Sequence, residues 1–221
     1  MADWTSGYFS EINYTFGAYG ELNPLHIKYL LTSAGFKTKN IKYACELGFG
    51  YGVSLNISAA TSSVIWTAND FNPEHVSFAQ ELNSAYLGKN IIVDDSFEEF
   101  VEKDHPKFDF IALHGVWSWV SEENRKAIIK FLKKNLSING MVYIGYNSKP
   151  GWASFLSVRD ILISIPSDET KSVESKLKSS IEYLEKIIKI DSAGKLAHPS
   201  LVKKIDDVKT QPVNYIAHEY F

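Results

Sequence analysis

Residues 46–52 read Glu-Leu-Gly-Phe-Gly-Tyr-Gly, after an apolar run from Ile41 to Cys45 and before a helix-like run from Val53 to Ala60. A strand that empties into a glycine turn and then opens a helix is the local context of a nucleotide-binding turn in an α/β sheet. The glycine spacing narrows the ligand. A dinucleotide turn, G-x-G-x-x-G, would need its third glycine at Val53, whereas here it is Gly52, giving G-x-G-x-G. Glu46 stands two residues before the first glycine. A carboxylate there suits a ligand presenting a positive amine and repels a pyrophosphate.

The segments around this turn alternate in period. Strands are expected at 41–46, 64–70, 90–94, 108–114 and 140–146, and helices at 52–61, 73–87, 96–103, 121–135 and 151–165. An earlier helix should start at Asn23-Pro24 and stop at Gly35. Pro73 in a first turn, Ser121 before Glu122 and Glu123, and Asn139-Gly140 read as a helix end mark the boundaries. Such alternation implies a Rossmann-like, doubly wound, mostly parallel sheet with helices on both faces. Beyond Pro166, Val173, Leu177, Ile181, Leu184 and Ile188 recur at helical spacing, predicting an amphipathic helix over 168–190. A shorter helix should follow His198-Pro199, and Val213–Ile216 is a weak strand candidate. The expected organisation is a cover segment and helix at 1–40, a ligand-binding core at 41–165, and a helical cap or the start of a regulatory region at 166–221. Within the cover segment, Trp4, Tyr8, Phe9, Tyr14, Phe16 and Tyr19 suit a flap laid over a pocket.

Bulk properties exclude several classes. With 221 residues, a formal charge of −3 and no extended basic stretch beyond Lys126–Lys134, the chain gives no electrostatic case for nucleic acid. The lone Cys45 excludes a disulfide framework and fits a reducing compartment. The amino terminus lacks the basic start and apolar stretch of a secretory signal, and no run approaches the roughly 20 apolar residues that span a bilayer. A cytoplasmic location without membrane contact is expected. The histidines and Cys45 have no metal-ligand spacing, so no metal is expected.

In an open parallel sheet, ligands bind at the carboxyl ends of the strands. Those ends supply the candidate residues. The first carries Glu46, Gly48, Phe49, Gly50 and Gly52. The second ends Asn69-Asp70-Phe71-Asn72-Pro73, where Asp70 can accept both hydroxyls of a ribose, Phe71 can lie against an adenine and Asn72 caps the next helix. The third ends Asp94-Asp95-Ser96-Phe97; one acid can accept from an adenine amino group and the other can cap a helix, with Asp95 favoured for adenine and Ser96 offering its backbone N–H. The fourth ends His114-Gly115-Val116-Trp117-Ser118-Trp119. Its aromatic faces attract a sulfonium or methylammonium, although Trp119 can instead pack under helix 121–135, and His114 is either a general base or structural. The fifth brings Tyr146 and Asn147, which can orient a substrate nitrogen. Trp117, Tyr146 and Asn147 are the expected substrate contacts, with His114 and Tyr146 the catalytic candidates and His114 also an expected ligand-binding residue alongside those of the first three strand ends.

Together these strings resemble the class I (seven-strand) S-adenosylmethionine-dependent methyltransferases. Cys45–Gly52, Asp70–His75, the stretch 108–128 and Met141–Trp152 are similar, more narrowly, to a bacterial group whose full-length members carry a methyltransferase regulatory domain. The resemblance implies S-adenosylmethionine as cofactor, with Glu46 toward its methionine amino end, Asp70 on the ribose, and Asp95, Ser96 and Phe97 beside the adenine. It favours a protein lysine as acceptor over a glycan or a small molecule. Such folds finish with a sixth strand and an antiparallel seventh, whereas five convincing strands are legible here. The expectation is thus a sheet lacking its last strands, with an edge that invites pairing into a homo-oligomer. The rival readings are a cofactor-binding regulatory module without turnover and a nicotinamide-dependent oxidoreductase, the latter disfavoured by the glycine spacing.

Overall fold

The computed structural model describes residues 14–85, 89–165, 172–190 and 199–220. Trp4, Tyr8 and Phe9 of the expected cover segment lie outside them. Two compact units divide the chain, one spanning Phe16–Tyr146 and the other holding the chain from Asn147 onward.

The first unit opens with a 3-10 turn, Gly20–Leu22, and continues as α1 (Pro24–Ser33), β1 (Tyr43–Leu47), α2 (Val53–Ala60), β2 (Ile65–Asn69), α3 (Pro73–Ser84), β3 (Ile91–Val93), α4 (Phe97–Glu102), β4 (Phe108–His114), α5 (Glu122–Asn135) and β5 (Leu136–Gly145). The strands form one sheet in the order β3-β2-β1-β4-β5, and every pairing is parallel. The winding reverses between β1 and β4, so the glycine turn leaves the sheet at its switch point.

Alternation along the strands builds two cores. On one face Ala44, Trp66, Ala68, Phe110, Ala112 and Met141 pack with Leu55, Ala59, Val76 and Ala79 of α2 and α3, joined by Ile27 and Leu31 of α1. On the other, Cys45, Leu47, Phe108, Ile111 and Leu113 pack with Phe100, Val101, Ile128 and Phe131 of α4 and α5. Burial on both faces explains why residues 110–113 of β4 read as a continuous apolar run rather than an alternating one.

The helix starts follow local chemistry. Asn23 and Asn72 accept the N–H of Leu25 and Glu74, each followed by a proline that fits the first turn. Ser96 and Glu99 form a reciprocal capping box on α4, and Ser121 caps α5.

Three expectations are corrected. Asn139-Gly140 does not end a helix: α5 stops at Asn135, and β5 begins at Leu136. Opposite β4, which advances from Phe108 to Phe110, β5 runs from Leu136 to Met141, and the surplus loops out as a bulge. Asn139 takes the left-handed conformation there (φ 57°), and Ile138 is 88% exposed. Asn-Gly favours a left-handed residue in either context, and here that residue sits in a strand bulge rather than at a helix end. Secondly, Val213–Ile216 is helical, the start of Val213–Tyr220. Thirdly, α3 ends at Ser84, short of the expected 87, and residues 86–88 lie outside the described set.

The second unit contains α6 (Ala153–Ser164), α7 (Val173–Ile190), α8 (Pro199–Thr210) and α9 (Val213–Tyr220). Phe155, Val158, Leu162, Leu177, Leu184, Ile205, Val208 and Ile216 form its core. Ile216 and Ala217 of α9 are buried, which is why a helix rather than a strand is stable there. No helix among the described residues is long and apolar enough to cross a membrane.

Candidate functional site

Gly48, Gly50 and Gly52 all take positive φ (70°, 58° and 65°). At two of them a side chain also has no room: a Cβ on Gly48 would stand 2.6 Å from Val116 Cγ2, and one on Gly52 2.8 Å from Ala79 Cβ. The turn is pinned from outside. Gly48 N–H donates to the Asn69 carbonyl (2.8 Å), and Gly50 N–H donates to Asp70 Oδ2 (2.8 Å). Phe49 is buried in the α2/α3 core, beneath the turn.

Glu46 ends β1 only 3% exposed, and its Oε2 is buried with no hydrogen-bond partner among the described residues. Burial, reinforced by the nearby charge of Asp70, pushes its carboxyl up to about 8. Asp70 is also buried, but well satisfied. Besides Gly50, it accepts the Asn72 N–H (3.0 Å) and faces His75 Nδ1 (3.3 Å). A carboxylate offers about four lone-pair sites, so three protein partners leave room for one further donor rather than two. Asn72 is the helix cap, and Phe71 beside it is half-buried.

At the third strand end, the Asp95 carboxylate pairs with Lys103 (2.6 Å). The Ser96 N–H donates to the Glu99 carboxylate (2.9 Å) within the capping box, so the backbone donor expected there is already engaged. Ser96, and neither Asp94 nor Asp95, caps α4. Phe97 packs against the α4/α5 core, with its ring edge 3.7 Å from the position of a Cβ on Gly48. Asn69, which the sequence reading passed over, ties these ends together: its carbonyl holds Gly48, and its side-chain N–H donates to the Asp95 carbonyl (3.0 Å).

At the end of β4 the two tryptophans exchange their expected places. The Val116 carbonyl accepts the N–H groups of Trp119 (3.0 Å) and Val120 (3.3 Å), and Arg125 Nε donates to the Trp117 carbonyl (3.0 Å). This turn packs Trp117 against the core under α5 and leaves Trp119 41% exposed. Tyr146, at 63% exposure, forms no hydrogen bond or ring stack with His114 among the described residues. The hydrogen bond comes from Tyr143 instead, whose hydroxyl lies 3.0 Å from His114 Nδ1. Gly145, opposite His114 in the register, makes space for the pair, since a Cβ there would sit 2.9 Å from Nδ1 and 3.1 Å from the Tyr143 hydroxyl. Tyr19 stacks on the His114 ring (centroids 4.5 Å apart), and its N–H donates to Ser54 Oγ in the first turn of α2 (2.8 Å). Burial lowers the His114 imidazolium below its ordinary value against the opposing pull of Glu21, and burial with the same Glu21 charge raises the Tyr143 phenol. Asn147, half-buried, falls in the second unit.

No protein-family model matches the chain. Protein sll1526 of Synechocystis sp. is 38% identical over 224 residues, covering 99% of this chain and 44% of that protein. Protein RP028 of Rickettsia prowazekii is 26% identical over 226 residues, 96% of this chain and 86% of that protein. The chain therefore spans less than half the length of sll1526. Among solved structures, PKMT2 from Rickettsia typhi in complex with AdoHcy matches with a TM-score of 0.77 at 21% identity, over 94% of this chain and 40% of that one. The five-strand parallel sheet and its flanking helices have the Rossmann-like class I methyltransferase fold.

Proposed function

We propose that the chain is an S-adenosylmethionine-dependent methyltransferase, and the observation that carries the reading is the orphaned carboxylate oxygen of Glu46. A buried acid without a partner is costly unless a cation or donor completes it, and it stands at the switch point, beside a turn whose three glycines hold positive φ. The residues present fit the cofactor. Glu46 would take its amino end, the Gly48–Gly52 turn would lie against it, and Asp70 would accept one ribose hydroxyl with its remaining lone pair. Asp95, Phe97 and Phe71 would flank the adenine, the Ser96 N–H serving only by leaving Glu99. The likeness to PKMT2, solved with AdoHcy, supports the same assignment.

The cofactor, when bound, supplies a methyl group already activated on a sulfonium. The protein's share is then alignment and exclusion of water. An amine acceptor must also lose a proton, and His114, oriented by Tyr143 rather than Tyr146, is the candidate acceptor for it. Trp119 joins Trp117 as a candidate acceptor contact. A protein lysine is our preferred acceptor, consistent with the resemblance to the bacterial group that carries regulatory domains.

Calorimetry with S-adenosylhomocysteine and with NAD tests the cofactor. Binding of the first and not the second is expected; the reverse would sink the reading. Transfer of labelled methyl from S-adenosylmethionine to protein in a cell lysate tests turnover, and tight cofactor binding with no labelled product would instead favour a binding module.

A further inference from the structure

We infer that His75 is a positioning residue for cofactor recognition: its Nδ1–H fills the last free site on Asp70 Oδ1, so that only Oδ2 accepts from the ribose and one hydroxyl is recognised rather than both. The inference deepens the reading proposed above and rests on it for the identity of the ligand.

Each oxygen of a carboxylate offers about two lone-pair sites. Asp70 Oδ1 accepts the Asn72 N–H (3.0 Å) and faces His75 Nδ1 at 3.3 Å. Among the described residues, Oδ2 accepts the Gly50 N–H alone (2.8 Å). A carboxylate has acceptor sites and no donor, so Nδ1 carries the proton and gives it to Oδ1. Oδ1 is then full. The spare site lies on Oδ2, the oxygen that also holds the glycine turn.

Burial gives this arrangement its weight. The side chains of His75 and Asp70 are only 5% and 7% exposed, so a vacated site on Oδ1 would be shielded from solvent. His75 is held in turn. It stands in the first turn of α3, and its ring centroid lies 4.8 Å from that of Tyr51, which belongs to the glycine turn and is itself buried. The glycine turn, the cap of α3 and the first turn of α3 therefore converge on one carboxylate. An acceptor held from several sides keeps the narrow geometry that recognition needs.

The consequence is a departure from the simplest use of such an acid. A ribose presents two neighbouring hydroxyls, and a carboxylate with both oxygens open takes one on each. With Oδ1 closed by Asn72 and His75, Asp70 takes a single hydroxyl through Oδ2, on the side of Gly50.

The test is calorimetry of the full chain with S-adenosylhomocysteine and with its 2′-deoxy and 3′-deoxy analogues. The parent should bind one analogue at least about tenfold more weakly, the size of one lost charge-assisted hydrogen bond, and the other nearly as well as S-adenosylhomocysteine. His75→Phe keeps a ring beside Tyr51 but removes the donor; it should reopen Oδ1 and bring the two analogues within about threefold of each other. His75→Asn, whose amide N–H can take the place of Nδ1–H, should retain the parent's preference. Because ligands are compared on one preparation, a partial loss of folded chain cancels. A merely structural role would weaken all three ligands alike and leave the preference intact. Equal binding of the two analogues by the parent, or an unchanged preference in His75→Phe, would overturn the inference, and so would loss of the preference in both variants. In ¹⁵N-histidine spectra of the ligand-free chain, His75 should report Nδ1–H, and a bare Nδ1 would also overturn it. Failure of the parent to bind S-adenosylhomocysteine would remove the cofactor assignment, while the ligand-free spectrum would still decide whether His75 closes Oδ1.

Discussion

Glu46 and Asp70 are carboxylates at neighbouring strand ends, equally hidden from water, yet their surroundings assign them different work. Asp70 is anchored by the turn it stabilises, whereas Glu46 has an oxygen aimed at nothing. Because the Glu46 carboxyl is raised from 4.5 to about 8, the folded chain keeps a proton there that the unfolded chain releases. Its stabilising contribution is complete below about pH 4.5 and is lost as the pH climbs to about 8. Glu46→Gln, which cannot ionise, should therefore gain in melting temperature relative to the parent as the pH rises from 5 to 8; a constant difference across that range would contradict the raised value. Asp70→Ala leaves the buried N–H groups of Gly50 and Asn72 unpaired, at roughly 1–3 kcal/mol each. Urea unfolding should report a loss of about 2–6 kcal/mol, and S-adenosylhomocysteine should bind at least about tenfold more weakly. An unaltered affinity would make Asp70 a structural clamp alone.

The glycine turn behaves as an element in its own right, clamped between the β4 loop on one side and α3 on the other. Gly52 tests this. Its φ of 65° costs a side chain about 1–2 kcal/mol, and the Cβ would meet Ala79 at 2.8 Å. Gly52→Ala should lose roughly 2–4 kcal/mol in urea unfolding. Gly20→Ala, where nothing lies within 4 Å and φ is ordinary, should stay within about 0.5 kcal/mol and serves as the comparison. Local signals of this kind were legible in advance: the turn, the Asn72-Pro73 and Ser121 caps, and the run of β4. The β5 bulge was misassigned because Asn139-Gly140 announces a left-handed residue without saying whether a helix or a strand surrounds it. Tyr143 was missed for a related reason. It reads as one apolar position in Met141–Gly145, and only the register with β4 brings its hydroxyl to His114.

On the scale of the molecule, the parallel sheet buries its central strand from Ala44 to Leu47. Cys45, in the middle of β1, is fully buried, and burial first, then the Glu46 charge, raises its thiol well above the ordinary value. The thiolate is the reactive form, so a thiol reagent at pH 8 should label Cys45 only when the sheet opens. Labelling should follow the unfolding rate across a denaturant series; stoichiometric labelling within seconds in native buffer would mean that β1 is not protected as described.

Sequence alone determined what depends on neighbours along the chain: alternating strands and helices, the spacing that distinguishes G-x-G-x-G from a dinucleotide turn, and the acid that precedes it. Tertiary structure decided what depends on pairing across it. It chose Tyr143 over Tyr146 beside His114, buried Trp117 while exposing Trp119, engaged the Ser96 N–H with Glu99, and folded Val213–Ile216 into a helix. Local patterns fix backbone conformation within a few residues. The direction and partner of a side chain are set by register and packing, which join residues far apart in the chain.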